Sequence, residues 1–143
     1  PLVGAPPGVD SGRRAPAGVG GGVVPVGDGD HVVEALRVDV VREVVMAGAV
    51  INADAVIGDG AIVNTGALVD HDCEIGDYCH IAPGVSLCGT VRVGPRTLIG
   101  VGASVLPGVS IGSDCVIGAG AAVLGPVASG ARVVGVPARA NGK

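Results

Sequence analysis

Two histidines and four cysteines, His71, Cys73, Cys79, His80, Cys88 and Cys115, are the side chains of this 143-residue sequence with the widest chemical repertoire. An imidazole titrates near neutrality, so His71 and His80 are candidates for taking a proton in general acid–base catalysis. Thiols alongside imidazoles also raise the question of zinc. For each of these residues a plain alternative exists: a solvated surface histidine, or a cysteine filling a core. The direction in which each side chain points separates these readings, and a repeat in the sequence supplies it.

Stepping by six from Val45 to Val123 meets an aliphatic residue at all fourteen positions. Four residues after each stands a second column, from Ala49 and Ala55 through Cys73, Cys79, Val85, Val91, Thr97 and Cys115 to Val127, always small or β-branched. The two columns are two residues apart across each boundary, as from Ala67 to Val69, which is the side-chain period of a strand. The fourth position of each hexad is Gly or Asp in ten of fourteen cases, and Pro83, Pro95 and Pro107 stand just before it. These residues tolerate or preset turn angles, so short strand and tight corner alternate from Val45 to about Ala128. Strands so short cannot bury a face alone and must coil and stack, which predicts an all-β parallel β-helix.

The composition fits a narrow, repetitive interior. There are 27 Gly and 10 Pro, Tyr78 is the one aromatic residue, and the apolar share of 48% is largely Val, Ala, Ile and Leu. In this scheme Cys73, Cys79 and Cys115 belong to the inward column as core residues, and Cys88 points outward; neither disulfides nor a metal is expected. A net charge of −4 with scattered Arg and Lys argues against nucleic acid as a partner. No run approaches the roughly 20 apolar residues of a membrane span, and no secretion signal is visible, so the expectation is a soluble cytoplasmic protein.

A strict six-residue period resembles the left-handed β-helix of the hexapeptide-repeat transferases, in which about three hexads make one triangular coil. That resemblance implies the left hand, and it implies that residues eighteen apart stack. Gly89 would then lie one coil above His71. A base beside a glycine N–H supplies what acyl transfer needs: a group to take the nucleophile's proton and a donor for the tetrahedral oxyanion.

The run Val63-Asn64-Thr65-Gly66-Ala67-Leu68-Val69-Asp70-His71-Asp72-Cys73-Glu74-Ile75-Gly76-Asp77-Tyr78-Cys79-His80-Ile81-Ala82-Pro83-Gly84 resembles the catalytic segment of the sialic acid O-acetyltransferase and UDP-4-amino-sugar N-acetyltransferase family. The closing Gly135-Val136-Pro137-Ala138 is similar to that family's C-terminal signature. The resemblance implies an acetyl-CoA-dependent enzyme acting on an amine or hydroxyl of a bacterial sugar or nucleotide-sugar. By position it implies His71 as general base, Asp72 as the acid raising its basicity, and Asn64 as an active-site residue. His80, Val101 and Ala119 match contacts to acetyl-CoA, the last two eighteen apart along one wall. Asp72 as an ordinary corner residue, Asn64 as an outward strand position and His80 as a surface histidine are the alternatives. The resemblance further implies a homotrimer with acetyl-CoA between neighbours.

Residues 1–44 are expected to be an irregular Gly/Pro/Val-rich segment, a possible remnant of the Rossmann-like sugar-nucleotide domain that family members generally carry. Gly18-Val19-Gly20-Gly21-Gly22 lacks the strand–turn–helix setting of a phosphate cradle and reads as low complexity. From His31 to Val44 the pattern fits helix or strand equally. Residues 45–128 form the β-helix, and residues 129–143 form a capping loop and strand. Rival readings are another hexapeptide acetyltransferase such as a serine acetyltransferase, a γ-class carbonic anhydrase with histidine-bound metal, and an inactive trimeric scaffold.

Overall fold

The computed structural model describes residues 23–26, 31–34 and 43–142. The Gly18–Gly22 run lies outside them. Within the segment read as irregular, β1 (Val23–Val26) and β2 (His31–Glu34) pair as an antiparallel hairpin. The ambiguous run from His31 to Val44 therefore contributes strand at both ends, since β3 (Glu43–Val45) opens the solenoid.

From Glu43 onward the chain coils with three hexads to the turn. One face consists of β3, β6 (Ala61–Val63), β9 (His80–Ile81), β12 (Leu98–Ile99), β15 (Val116–Ile117) and β17 (Arg132–Val134). The second holds β4 (Val50–Ile51), β7 (Leu68–Val69), β10 (Ser86–Leu87), β13 (Ser104–Val105) and β16 (Ala122–Val123). The third holds β5 (Val56–Ile57), β8 (Glu74–Ile75), β11 (Arg92–Val93) and β14 (Ser110–Ile111). Pairing is parallel with an eighteen-residue register, as in Leu68 to Ser86 to Ser104, so three hexads per coil is an observed property of this chain.

From Ala55 onward both inward columns are buried as the pattern requires: Val69, Ile81, Leu87, Ile99 and Val105 are fully covered, and Ala67, Cys73, Val85 and Ala103 sit between them. Four inward side chains carry a polar hydrogen, and each gives it to a main-chain carbonyl of the next coil. Cys73 Sγ donates to Cys88 O, Cys79 to Gly94 O and Cys115 to Ala128 O at 3.1–3.2 Å, and Thr97 Oγ1 donates to Gly112 O at 2.8 Å. Burial pushes the Cys73 and Cys79 thiols up, which keeps them protonated and poor nucleophiles. The cysteines are thus core donors, as their column predicts.

Every fourth hexad position from Gly48 to Gly120 has positive φ, including Tyr78, Thr90 and Arg96, whose types would not suggest it. At these three the coil geometry overrides local preference. Position 126, the next in the series, is Pro, whose ring holds φ near −65° and cannot make this corner. The third face accordingly ends there, with only an isolated bridge from Val127 to Ile111. β17 then stacks on β15 at a sixteen-residue offset, Val116 to Arg132, and β18 (Arg139–Ala140) folds back antiparallel against it.

Where the third face turns into the first, Gly58, Gly76, Gly94 and Gly112 form a column that admits the next coil closely. A Cβ at Gly76 would lie 2.5 Å from Pro95 N and 2.8 Å from its Cα. Backbone cannot swing aside as a side-chain tip can, so Gly76→Ala is expected to lower stability by about 1–3 kcal/mol. Urea unfolding monitored by far-UV circular dichroism checks it.

Candidate active site

His71 occupies the corner between the second and third faces, held by a ladder of short polar contacts. Asn52, one coil earlier, donates from Nδ2 to Asp70 Oδ1 at 2.8 Å, and the same oxygen accepts the His71 N–H at 2.8 Å. These two bonds hold the Asp70 carboxyl below its usual range, the Asn52 bond having the larger effect. Asp72 follows with φ 58°, which brings its Oδ2 to 2.9 Å from His71 Nδ1. A carboxylate only accepts, so Nδ1 carries the ring proton and Nε2 presents a lone pair.

The hydrogen bond that His71 Nδ1–H donates to Asp72 raises the His71 pKa above its ordinary value, the negative charges of Asp70 and Asp72 add to it, and partial desolvation opposes them. A base that works only when deprotonated loses activity as pH falls through its pKa, so a raised pKa places the acidic limb of a rate profile higher. Asp72→Asn removes the main cause and is expected to move that limb to lower pH and to reduce the alkaline plateau, as a weaker base would. A pH profile of kcat/KM for the two proteins measures both effects.

One coil further lies Gly89. A Cβ there would stand 2.5 Å from His71 Nε2 and 2.6 Å from Cε1, so the imidazole covers the glycine's Cα face. Gly89 O accepts from Gly108 N–H and from the Thr90 hydroxyl, while the Gly89 N–H has no partner among the described residues. The expected stacking of His71 and Gly89 is thus present.

The remaining site residues stand elsewhere in the coil. Asn64 lies at the corner between the first and second faces, and His80 points outward from β9 beside it, with Asn64 Nδ2 3.1 Å from His80 Nε2. Val101 and Ala119 are exposed at the same corner, one coil apart. Within one chain the residues singled out by sequence therefore form two groups, His71, Asp72 and Gly89 on one edge of the second face and Asn64, His80, Val101 and Ala119 on the other. Asn52 and Asp70 were not singled out, although their eighteen-residue spacing and position beside His71 would have found them.

A shallow groove of about 500 Å³ adjoins the His71 edge on the third face, lined by Asp54, Asp72, Glu74, Thr90, Arg92 and Ser110 among others. Glu74 and Arg92, register partners on adjacent strands, pair along it at 3.5 Å. Among the described residues no three His, Cys, Asp or Glu side chains gather as a metal site, and no helix is long and apolar enough to cross a membrane.

Stacked six-residue repeats, three to a coil, and an oriented histidine define the class, the hexapeptide-repeat left-handed β-helix acyltransferases. The chain belongs to the bacterial transferase hexapeptide (six repeats) family, which matches residues 54–89 and 90–125. It is similar to a histidine-to-asparagine mutant of perosamine N-acetyltransferase from Caulobacter crescentus, solved with CoA and GDP-perosamine, at 47% identity and TM-score 0.67, covering 69% of this chain and 50% of that one. It is also similar to the acetyltransferase domain of PglB from Neisseria gonorrhoeae with acetyl coenzyme A, at 43% identity and TM-score 0.69 over 69% and 48% of the two chains. A serine acetyltransferase in complex with CoA shares 36% identity with a TM-score of 0.58 over 61% and 39%. The chain thus spans about half the length of the first two structures. Comparison with curated proteins finds no match.

Proposed function

We propose that this chain is the catalytic β-helix of an acetyltransferase that moves acetyl from acetyl-CoA to an amine or hydroxyl of a bacterial sugar or nucleotide-sugar. The observation that carries this reading is His71, held by Asp72 in the tautomer with a free Nε2 and laid over Gly89. His71 Nε2 takes the proton from the acceptor N–H or O–H as that atom attacks the thioester carbon. The Gly89 N–H donates to the oxyanion, and collapse of the tetrahedral intermediate breaks the C–S bond and releases coenzyme A. No acyl-enzyme is needed. The similarity to a perosamine N-acetyltransferase supports a sugar acceptor, and the resemblance of the segment around His71 makes sialic acid and UDP-4-amino sugars the narrower candidates.

The working unit in this reading is a homotrimer acting in the cytoplasm. Its support is the division of the site: the base lies on one edge of the second face and the acetyl-CoA residues His80, Val101 and Ala119 on the other, so a site shared by neighbours would unite them. Exposed apolar side chains mark that face and its edges, Val50 on the face, Leu106 and Leu124 on the His71 side and Met46 with Val101 opposite. Four free cysteines suit a reducing compartment. Thiol release from acetyl-CoA, assayed with UDP-4-amino sugars, GDP-perosamine, sialic acid, serine and simple sugars on protein of known sedimentation coefficient, tests the proposal. Acceptor-dependent release by a trimer supports it; a folded protein with no release under any acceptor overturns it in favour of a scaffold.

A further inference from the structure

The two histidines face opposite chemical demands, and the contacts around Asn64 decide how the second is met. One end of the Asn64 amide lies 2.7 Å from the Thr65 main-chain nitrogen, with the Thr65 hydroxyl at 3.4 Å. A peptide N–H can only donate, so that end of the amide is its oxygen. The other end, 3.1 Å from His80 Nε2, is therefore the NH2 group, which has no lone pair to offer. His80 Nε2 must accept, and the proton of the neutral ring sits on Nδ1. His71 is the same tautomer with the other nitrogen engaged: its Nδ1–H donates to Asp72 and its Nε2 is left free.

We infer that Asn64 is a positioning residue that locks His80 as the Nδ1–H tautomer, making His80 a hydrogen-bond donor to a carbonyl oxygen of the acyl-pantetheine arm and barring its Nε2 from acting as a base. The division of labour follows from acyl transfer itself, which needs one group to remove a proton and another to bind carbonyl oxygen. His80 Nδ1 has no partner among the described residues and His80 is half-buried, so the donor is available to a ligand lying along the first face. The identity of that ligand rests on the acetyltransferase reading; the tautomer does not.

Asn64→Asp is the informative variant, because one carboxylate oxygen still accepts the Thr65 N–H and keeps the corner while the other replaces a donor with an acceptor beside His80. Long-range ¹H–¹⁵N correlation spectra of the full chain labelled with ¹⁵N-histidine distinguish the two tautomers whether or not an acceptor sugar is known. Wild type is expected to show His80 protonated on Nδ1, and Asn64→Asp to place the proton on Nε2. The KM for acetyl-CoA should rise about three- to tenfold, the loss of one hydrogen bond, with the effect falling on KM more than on kcat. If the affinity for free CoA falls alongside it, the donor binds a pantetheine amide; if only acetyl-CoA is affected, it binds the thioester carbonyl. A wild-type His80 protonated on Nε2, or a tautomer unchanged in Asn64→Asp, overturns the lock. A switched tautomer with unchanged acetyl-CoA binding overturns the donor role alone.

Discussion

His71→Ala is expected to lower kcat/KM for acetyl transfer by about 10²- to 10⁴-fold, the usual contribution of a positioned general base. The fold should be unaffected, because the His71 side chain is 57% exposed at a corner and none of its atoms belong to the core. Two measurements on one preparation separate chemistry from folding: initial rates of thiol release, and the midpoint of thermal unfolding. Retained rates would remove His71 from the mechanism, and a large drop in the midpoint would show that the histidine carries structure. The defect should appear in kcat as well as in kcat/KM, since the proton is transferred only as the nucleophile attacks.

Gly89→Ala is expected to approach the same loss by a different route. The added Cβ would occupy the space 2.5 Å from Nε2, so the imidazole has to rotate away. That motion costs the 2.9 Å bond to Asp72 and carries Nε2 off the line of the acceptor. Gly89 does not need positive φ, and the atoms it would meet are the tip of an exposed side chain, so the backbone has no reason to yield. This contrasts with Gly76, where the obstacle is the main chain of the next coil. Because Gly89→Ala and His71→Ala remove the same correctly placed base, their combination should be little worse than His71→Ala alone. Full additivity in kcat/KM would mean that Gly89 acts independently of the histidine. A Gly89→Ala protein with wild-type activity would refute the stacked geometry.

The groove beside Asp72 and the ladder from Asn52 to Asp70 show how far one periodicity reaches. Both follow from the eighteen-residue stacking, yet neither is visible from residue types alone, since Asn52, Asp70, Glu74 and Arg92 would be unremarked polar residues in any outward strand or corner. The same holds for Tyr78, Thr90 and Arg96. Their types argue against a left-handed corner, and they adopt one because the coils before and after fix the path of the chain. Pro126 is the converse case, where a single residue incompatible with that corner ends the regular face.

By itself the sequence determined the solenoid, its inward columns and its corners, while the pairing of His71 with Gly89 came from the three hexads per coil that the family resemblance implies. A two-residue pleat, a six-residue unit and the turn preferences of Gly, Asp and Pro are short-range constraints, and repetition makes each of them legible many times over. Only the tertiary structure decided that the candidate residues divide between two edges of one face, that Asn52 and Asp70 hold the His71 corner, and that His71 and His80, both protonated on Nδ1, leave opposite ring nitrogens free. These depend on which atom of each side chain meets which neighbour on the adjoining coil, and a change of one rotamer or one amide orientation alters the chemistry without altering the repeat.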